Sequence, residues 1–380
     1  MSSISYSELI ERVWKACKES IERIPKDVAT FILKAKTNGL TPQNIYERLE
    51  KEEWSKKQKA FAEIALTIFT EYEKELRLSN EIDFSDMINQ ALIELEKNKS
   101  LYENSLDHIL VDEYQDISTQ RYRLIRGMMA INHNCKLFCV GDDWQSIMGF
   151  TGSNLDFFVR FQEYFDHPAR TDLSINYRSK KYIVDAGAEL IKYNGDGQLK
   201  KQTIANNNDE MKILVFSSLN ENKWNYYQQV AFHCVNTVRE YLNKGYAPND
   251  IRILYRIGNP YLENKIFEYA KSNNILIQKN SRNPQAIKLM TVHKSKGSQA
   301  KVVFLLCVDK GLYGFPCEIE DPFIFEPAMD KRLNNKDEEE RRLFYVAITR
   351  AKEDIIIYTQ KNNESMFLKE IHKYIEVTEF

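Results

Sequence analysis

Glycine is almost missing from the first 111 residues of this 380-residue chain: Gly39 is the one glycine before Asp112. That excludes from this stretch a loop of the G-x-x-x-x-G-K-[ST] kind, which needs two glycines to lay backbone N–H groups on phosphate oxygens. Long apolar runs are absent too. None reaches the length that spans a bilayer, and the start, "MSSISYSELIERVW", lacks the apolar core of a secretory signal. A membrane is therefore not an expected partner. Cysteine is sparse, with six scattered residues. Cys135 and Cys139 flank "KLF" in an apolar, strand-like stretch, which suits core thiols better than metal ligands. A reducing, cytoplasmic location is the expectation. No charge sign dominates: 53 basic residues stand against 55 acidic ones, for a net charge of −2. This rules out a uniformly basic surface but not a local basic groove, so nucleic acid and protein both stay open as partners. Internal repeats and low-complexity tails are also lacking.

What is present divides into two grammars. Residues 5–98 read as successive helices, with Leu9, Ile10, Val13 and Trp14 at helical spacing. "NGLTP" ends one helix at Gly39 and starts another at Pro42. A longer helix is expected from Glu52 to Leu78, and "DFSDMINQALIELE" forms the next, with Ser85 as its cap. From residue 107 short apolar strands alternate with helices, the pattern of a parallel, doubly wound α/β sheet. Expected strands are "HILVD", "CKLFCVGD", "TDLSINYR", "KILVF", "IRILYR", "AIKLMTVH", "KVVFLL" and "DIIIYT". Helices are expected near 119–130, 154–165, 180–193, 222–243, 260–272 and 337–352, and a polar surface loop at 194–210. A chain of this length is expected to hold at least two domains.

Five stretches carry chemistry. In "HILVDEYQDIS" a buried strand ends on Asp112 and Glu113, where ligands bind in parallel sheets. One carboxylate can hold Mg²⁺ and the next can orient or deprotonate a water; acidic caps for a following helix would look the same. "FCVGDDWQSIMGFTGSN" places Gln145 to sense a phosphate and Phe150, between two glycines, to stack on a base, although buried packing is the commoner fate of a Phe. "LSINYRSKKYIVDAG" puts Tyr177 and Arg178 just past a strand, an aromatic face beside five guanidinium donors; a core tyrosine and a surface ion pair is the alternative. In "LMTVHKSKGSQAKVVFL", Thr291 and His293 suit a nucleic-acid backbone, or a plain loop. "EEERRLFYVAITRAKEDIIIY" sets Glu339, Arg342, Tyr345, Thr349 and Arg350 at helical intervals, with Arg350 near the helix end and free to project. An acidic cluster followed by Glu-x-Lys, as a nuclease would carry, does not stand out.

Together these stretches resemble the motor core of the UvrD/Rep-like DNA helicases of superfamily one. The motifs run in order: "DFSDMI", "ILVDEYQD", "VGDDWQSIMGFTGS", "NYRS", "IRILYR", "MTVHKSKG" and "RRLFYVAITRAKE", over residues 60–360. The short spacing from Arg256 to Thr291 resembles the helicase IV branch and leaves no room for the accessory domain of UvrD and Rep. The resemblance implies two RecA-like parallel-sheet motor domains, the first incomplete. They would span 99–168 and 169–380, after a helical segment at 1–98 similar to the family's inserted helical subdomain. It implies ATP and Mg²⁺ as cofactors and single-stranded DNA or DNA junctions as partners, with 3′ to 5′ movement as the two domains open and close. By position, Asp112 matches the metal ligand, Glu113 the water-activating residue and Gln145 the γ-phosphate sensor. Arg178 and Arg350 match the arginines that grip the γ-phosphate, and Tyr177 the adenine-stacking tyrosine. Phe150, Thr291 and His293 fall on DNA-contacting positions. Gln299 replaces a glutamate at the ribose, while Met148 and Thr151 stand where tyrosine and arginine are common.

The missing phosphate loop leaves three readings. The chain is a truncated form of a helicase, or half of a split motor completed by a polypeptide carrying the loop, or a non-catalytic relative kept for DNA or protein binding. Intact Asp112, Glu113, Gln145, Arg178 and Arg350 weigh against the last.

Overall fold

The computed structural model describes residues 6–319, 322–329 and 336–380; the side chains of 6–21 and of Phe150 lie outside the described set. The chain forms two compact units. The first holds residues 1–141, 148–157 and 320–333, and the second 142–147, 158–319 and 334–380.

The first unit opens with four helices: α1 (Tyr6–Thr37), α2 (Pro42–Lys51), α3 (Lys56–Ser79) and α4 (Phe84–Lys97). Each start after α1 is capped by the residue chemistry just before it. The Thr41 hydroxyl accepts from Asn44 N, with Pro42 in the first turn, and Ser55 accepts from Gln58 N. The cap of α4 is Asp83, whose carboxylate accepts from Asp86 N; Ser85 lies inside the helix and is buried, which corrects the cap expected from sequence. Gly39 has φ +68°, the left-handed backbone that favours glycine, at the turn after α1. Val28, Phe31, Ile45, Ala62, Ala65 and Phe69 form the helical core, closed by Phe325 and Ala328. The side chains of Leu9, Ile10, Val13 and Trp14 are outside the described residues. A short α5 (Lys99–Tyr102) leads to β1 (His108–Val111), α6 (Thr119–Ile131) and β2 (Lys136–Cys139); β1 and β2 pair in parallel, Leu110 opposite Phe138. The helix expected near 154–165 is two short ones, α7 (Asp156–Val159) and α8 (Phe161–Tyr164).

The second unit is built on seven parallel strands. In chain order come β3 (Ile175–Asn176), α9 (Lys181–Ile191), β4 (Ile204–Ala205), β5 (Ile213–Ser218), α10 (Lys223–Asn243), β6 (Ile251–Tyr255), α11 (Pro260–Ser272), β7 (Ile277–Lys279) and β8 (Ile287–Thr291). Then follow α12 (Val292–Ser295), β9 (Ala300–Leu306), α13 (Lys336–Ile348), β10 (Ala351–Gln360), α14 (Met366–Glu370) and β11 (Ile375–Glu379). The main sheet runs β11-β5-β10-β9-β6-β8-β7. Its centre is buried on both faces, as a parallel sheet requires: all five residues of β6 are buried, including Arg252. The α/β class expected from the alternation is what the structure has. Three details depart from that reading. The 194–210 stretch contains β4, which pairs with β3. Only Ile175–Asn176 of "TDLSINYR" is strand. And α13 ends at Ile348, so the chain turns straight into β10 through Thr349 and Arg350.

Candidate functional site

In the first unit β1 delivers Asp112 and Glu113 to the carboxyl end of its strand, both exposed. Glu113 takes a left-handed backbone, φ 51° and ψ 39°, a conformation that costs a non-glycine residue about 1 kcal/mol. Local bonds hold the kink. The Asp112 carboxylate accepts from Glu113 N at 2.8 Å, Tyr114 N donates to Val140 O, and the buried Gln115 amide donates to Glu113 Oε2 at 2.5 Å. The turn thus presents two oxygen-rich groups to solvent, a donor set that fits a hard divalent cation. Among the described residues no group of three or more His, Cys, Asp or Glu side chains could hold a metal. An ion on Asp112 would therefore complete its shell with water and substrate oxygens, as Mg²⁺ commonly does.

In the second unit Gln145 is a node. Its Nε2 donates to Asp142 Oδ2 at 2.6 Å, and its Oε1 accepts from Arg350 Nη2 at 3.1 Å. Its backbone carbonyl accepts from Lys296 Nζ at 2.8 Å. Arg350 is 2% exposed, and it also donates to Val346 O and to Ser298 O. The sequence reading had it projecting freely from a helix; instead the guanidinium caps the end of α13 and spends its planar fork on three different elements. Asp142 and Asp143 are clamped from the far side by Lys201. Its ammonium bridges both carboxylates, lies 4.6 Å over the Trp144 ring, and leaves Asp143 Oδ2 to accept from Leu199 N at 2.7 Å. Burial alone would pull this ammonium down, but the charges of Asp142 and Asp143 outweigh it and raise its pKa. Arg342, 1% exposed, donates from Nε to Ser146 O, so the turn that holds Gln145 is fixed by α13 as well.

Tyr177 and Arg178 are exposed on the turn after β3. The Asn176 side chain shapes that turn by accepting from Arg178 N and Ser179 N. The turn is tied to the start of β10: Ser179 Oγ donates to Ala351 O at 2.6 Å and Lys180 N to Lys352 O at 3.0 Å. The buried Tyr345 phenol registers both arginines. Burial first, then Asp142, raise its pKa, while Arg350 and Arg178 oppose the rise. Gln145, Arg178 and Arg350 thus lie in one unit, Gln145 and Arg350 in direct contact. Exposed Gln299 lies between Ser298, which accepts from Arg350, and Ala300, whose N–H donates to the Arg350 carbonyl. Thr291 is the N-cap of α12, its hydroxyl accepting from Lys294 N. His293 is half-buried, and burial, then the nearby Arg256 charge, lower its pKa to about 4. Arg256 itself is held by both oxygens of Glu340. Phe150 belongs to a one-turn helix at Gly149–Thr151, and its side chain lies outside the described residues.

Sequence reasoning missed Lys201, Lys296, Asp143 and Arg342 as partners of the Gln145 turn. Doubled acid in "GDDWQ" was the available signal, since a fully buried carboxylate demands a cation.

Family models match two parts of the chain: the UvrD/REP helicase N-terminal domain over residues 2–166 and the UvrD-like helicase C-terminal domain over residues 263–362. DNA helicase IV of Escherichia coli is 33% identical over 302 residues, covering 80% of this chain and 40% of that protein. A probable DNA helicase of Mycoplasma pneumoniae is 27% identical over 328 residues, covering 82% and 56%. ATP-dependent DNA helicase PcrA of Staphylococcus epidermidis is 28% identical over 217 residues, covering 56% and 28%. The chain thus spans between about a quarter and just over half of each of these relatives.

Proposed function

Starting from the fact that this chain belongs to the UvrD/Rep-like DNA helicase family, we propose that it supplies the water-activating strand and the second motor domain of an ATP-dependent, 3′ to 5′ DNA translocase. The observation that carries this reading is the chain of contacts Asp142–Gln145–Arg350. A neutral amide with its donor end fixed by a carboxylate and its acceptor end on a guanidinium reports any pull on the arginine to the turn behind it. Asp112 holds Mg²⁺, and Glu113, tipped into solvent by its left-handed backbone, takes the proton of the attacking water. Arg178 and Arg350 stabilise charge on the γ-phosphate, Tyr177 stacks on adenine and Gln299 hydrogen-bonds the ribose. Phe150, Thr291 and His293 face single-stranded DNA or a junction. The exposed carboxylates of Asp112 and Glu113 fit the metal and exposed Arg178 fits a phosphate, whereas Arg350 would have to give up a bond to Val346, Ser298 or Gln145 to reach one. The residues present do not include a cradle for the remaining phosphates, which a G-x-x-x-x-G-K-[ST] segment outside these 380 residues provides, and a cytoplasmic setting belongs to the same reading.

The test is hydrolysis with and without that loop. The 380 residues alone are expected to show no DNA-stimulated ATPase above background, since loss of one strong oxyanion donor costs about a hundredfold or more. Completion with a segment carrying the phosphate loop, joined to the chain or added in trans, restores it, and Glu113→Gln abolishes it again. Hydrolysis by the 380 residues alone that vanishes in Glu113→Gln would overturn the need for that loop; hydrolysis indifferent to Glu113 would overturn the site.

A further inference from the structure

The Gln145 turn is held in two ways that fix different things. Its backbone is tied by Lys296 Nζ on the Gln145 carbonyl at 2.8 Å and by Arg342 Nε on the Ser146 carbonyl at 2.9 Å. Neither bond decides which end of the Gln145 amide points where. The two side-chain partners decide it. A carboxylate accepts and a guanidinium donates, so Asp142 takes Nε2 and Arg350 takes Oε1. One N–H of Nε2 is thereby used, and the second has no acceptor among the described residues. Asp142 does not hold its place alone. The next residue, Asp143, is fully buried, and two adjacent carboxylates repel each other. Lys201 is the cation they share. Its Nζ lies 2.6 Å from Asp143 Oδ1 and contacts Asp142 Oδ1, which also accepts from Trp144 N at 3.2 Å. The other oxygen of Asp142 is left to Gln145 Nε2 at 2.6 Å. The ammonium is seated over the Trp144 ring, and its side chain is only 17% exposed, so salt screens the contact weakly.

We infer that Lys201 is a positioning residue for hydrolysis: by holding Asp142 on Nε2, it keeps the donor end of the Gln145 amide, and not the acceptor end, available to a phosphate oxygen. Without the ammonium, the half-buried Asp142 side chain swings away from Asp143 into solvent, and the amide is free to turn over. An inverted amide offers Oε1 to an anion and repels it. The backbone bonds from Lys296 and Arg342 survive that change, so the turn persists while its side chain loses direction. The inference rests on the motor reading above for the phosphate, but not for the orientation of the amide.

Two measurements test it. The first follows exchange of side-chain amide protons with water in the purified 380 residues carrying ¹⁵N-glutamine, the Gln145 signal being the one absent from Gln145→Ala. In the unaltered chain Gln145 should exchange more slowly than exposed Gln228 and Gln285. Lys201→Met should speed Gln145 about tenfold or more. Lys201→Arg, which keeps a cation over Trp144, should restore the slow rate. Gln360, whose amide donates to Asn220 O at 2.7 Å in the same unit, should not change. Gln145 exchange unmoved by Lys201→Met overturns the proposal. So does a rise shared by Gln145 and Gln360, because that shows only lost stability.

The second measurement uses the chain completed with the phosphate-loop segment, below the melting range of each variant. Gln145→Ala should lower kcat about a hundredfold. Lys201→Met should lower it about tenfold at unchanged KM for ATP, with recovery in Lys201→Arg. In the Gln145→Ala background Lys201→Met should cost nothing more, because its effect passes through that amide. Additive losses, or full turnover in Lys201→Met while Gln145→Ala is slow, overturn the proposal and leave the motor reading intact. Full turnover in Gln145→Ala overturns the phosphate role of Gln145 in that reading and the kinetic part of the proposal with it.

Discussion

Lys201→Met is the most informative single change in the second unit. The substitution keeps the length and most of the volume of the side chain but removes a cation that touches Asp142, Asp143 and the Trp144 ring. Asp143 is fully buried, so its charge would be left with Leu199 N at 2.7 Å as the remaining contact of Oδ2. Breaking one side of a buried pair costs about 3–5 kcal/mol. The lower end applies here. The Lys201 side chain keeps 17% of its surface exposed, and Asp142, at 29%, retains the N–H of Trp144 and the amide of Gln145. The expected loss is therefore about 3 kcal/mol in the unfolding of the second unit, read by urea titration followed through tryptophan fluorescence. Lys201→Met with Asp143→Asn should recover about half of it, since the uncompensated charge goes while the Leu199 contact survives. A loss below about 1 kcal/mol, or a double variant no better than the single, would show that the pair is solvated and that the clamp does not hold the Gln145 turn.

Three further outcomes follow from the same geometry. His293 has a folded pKa of about 4, depressed by burial and Arg256 from 6.5. Its contribution is intact above pH 6.5 and is lost as the pH falls toward 4, by about 3 kcal/mol at most, and His293→Gln should flatten that limb of the unfolding curve. Asp309 behaves in the opposite sense. Burial, against hydrogen bonds from Tyr226 and Gln360, raises its carboxyl from 3.8 to about 6, so stability falls as the pH rises through that interval. Asp309→Asn should remove that dependence in pH-resolved calorimetry. In the completed motor Arg350→Lys should lower ATP turnover by about a thousandfold. Because Arg350 is buried and bonded to Val346, Ser298 and Gln145, it should also cost about 2 kcal/mol of stability, so turnover is to be measured below the variant's own melting range. Wild-type-like turnover would remove Arg350 from the phosphate site.

Much of the fold was legible because its signals are local. α11 was expected at 260–272 and lies at Pro260–Ser272, where Asn259 accepts from Tyr261 N and Leu262 N and Pro260 opens the first turn. The apolar runs of β6 and β9 name themselves as strands buried on both faces. What escaped was short, or settled at long range. β4 has two residues and no pattern of its own; it exists because β3 is there to pair with. β11 alternates too weakly to register, since its outer face is solvent at the sheet edge. The α13 boundary was misjudged because "ITRAKE" continues a helical charge pattern while the sheet draws Ala351 into register with Ala300. Lys201 was hidden for the same kind of reason: it meets its carboxylates 58 and 59 residues away, and nothing around it in a polar stretch marks it as buried.

The ties between the turn after β3 and the start of β10 have a mechanical consequence. Ser179, Lys180 and Tyr182 grip the carbonyls of Ala351, Lys352 and Glu353 in succession, immediately after Arg350 leaves α13. Exposed Arg178 and buried Arg350 thus stand on either side of one stitched seam. Any displacement of the start of β10 carries the turn bearing Arg178 with it. Because three separate bonds make the seam, Ser179→Ala removes one and leaves those of Lys180 and Tyr182 to hold it.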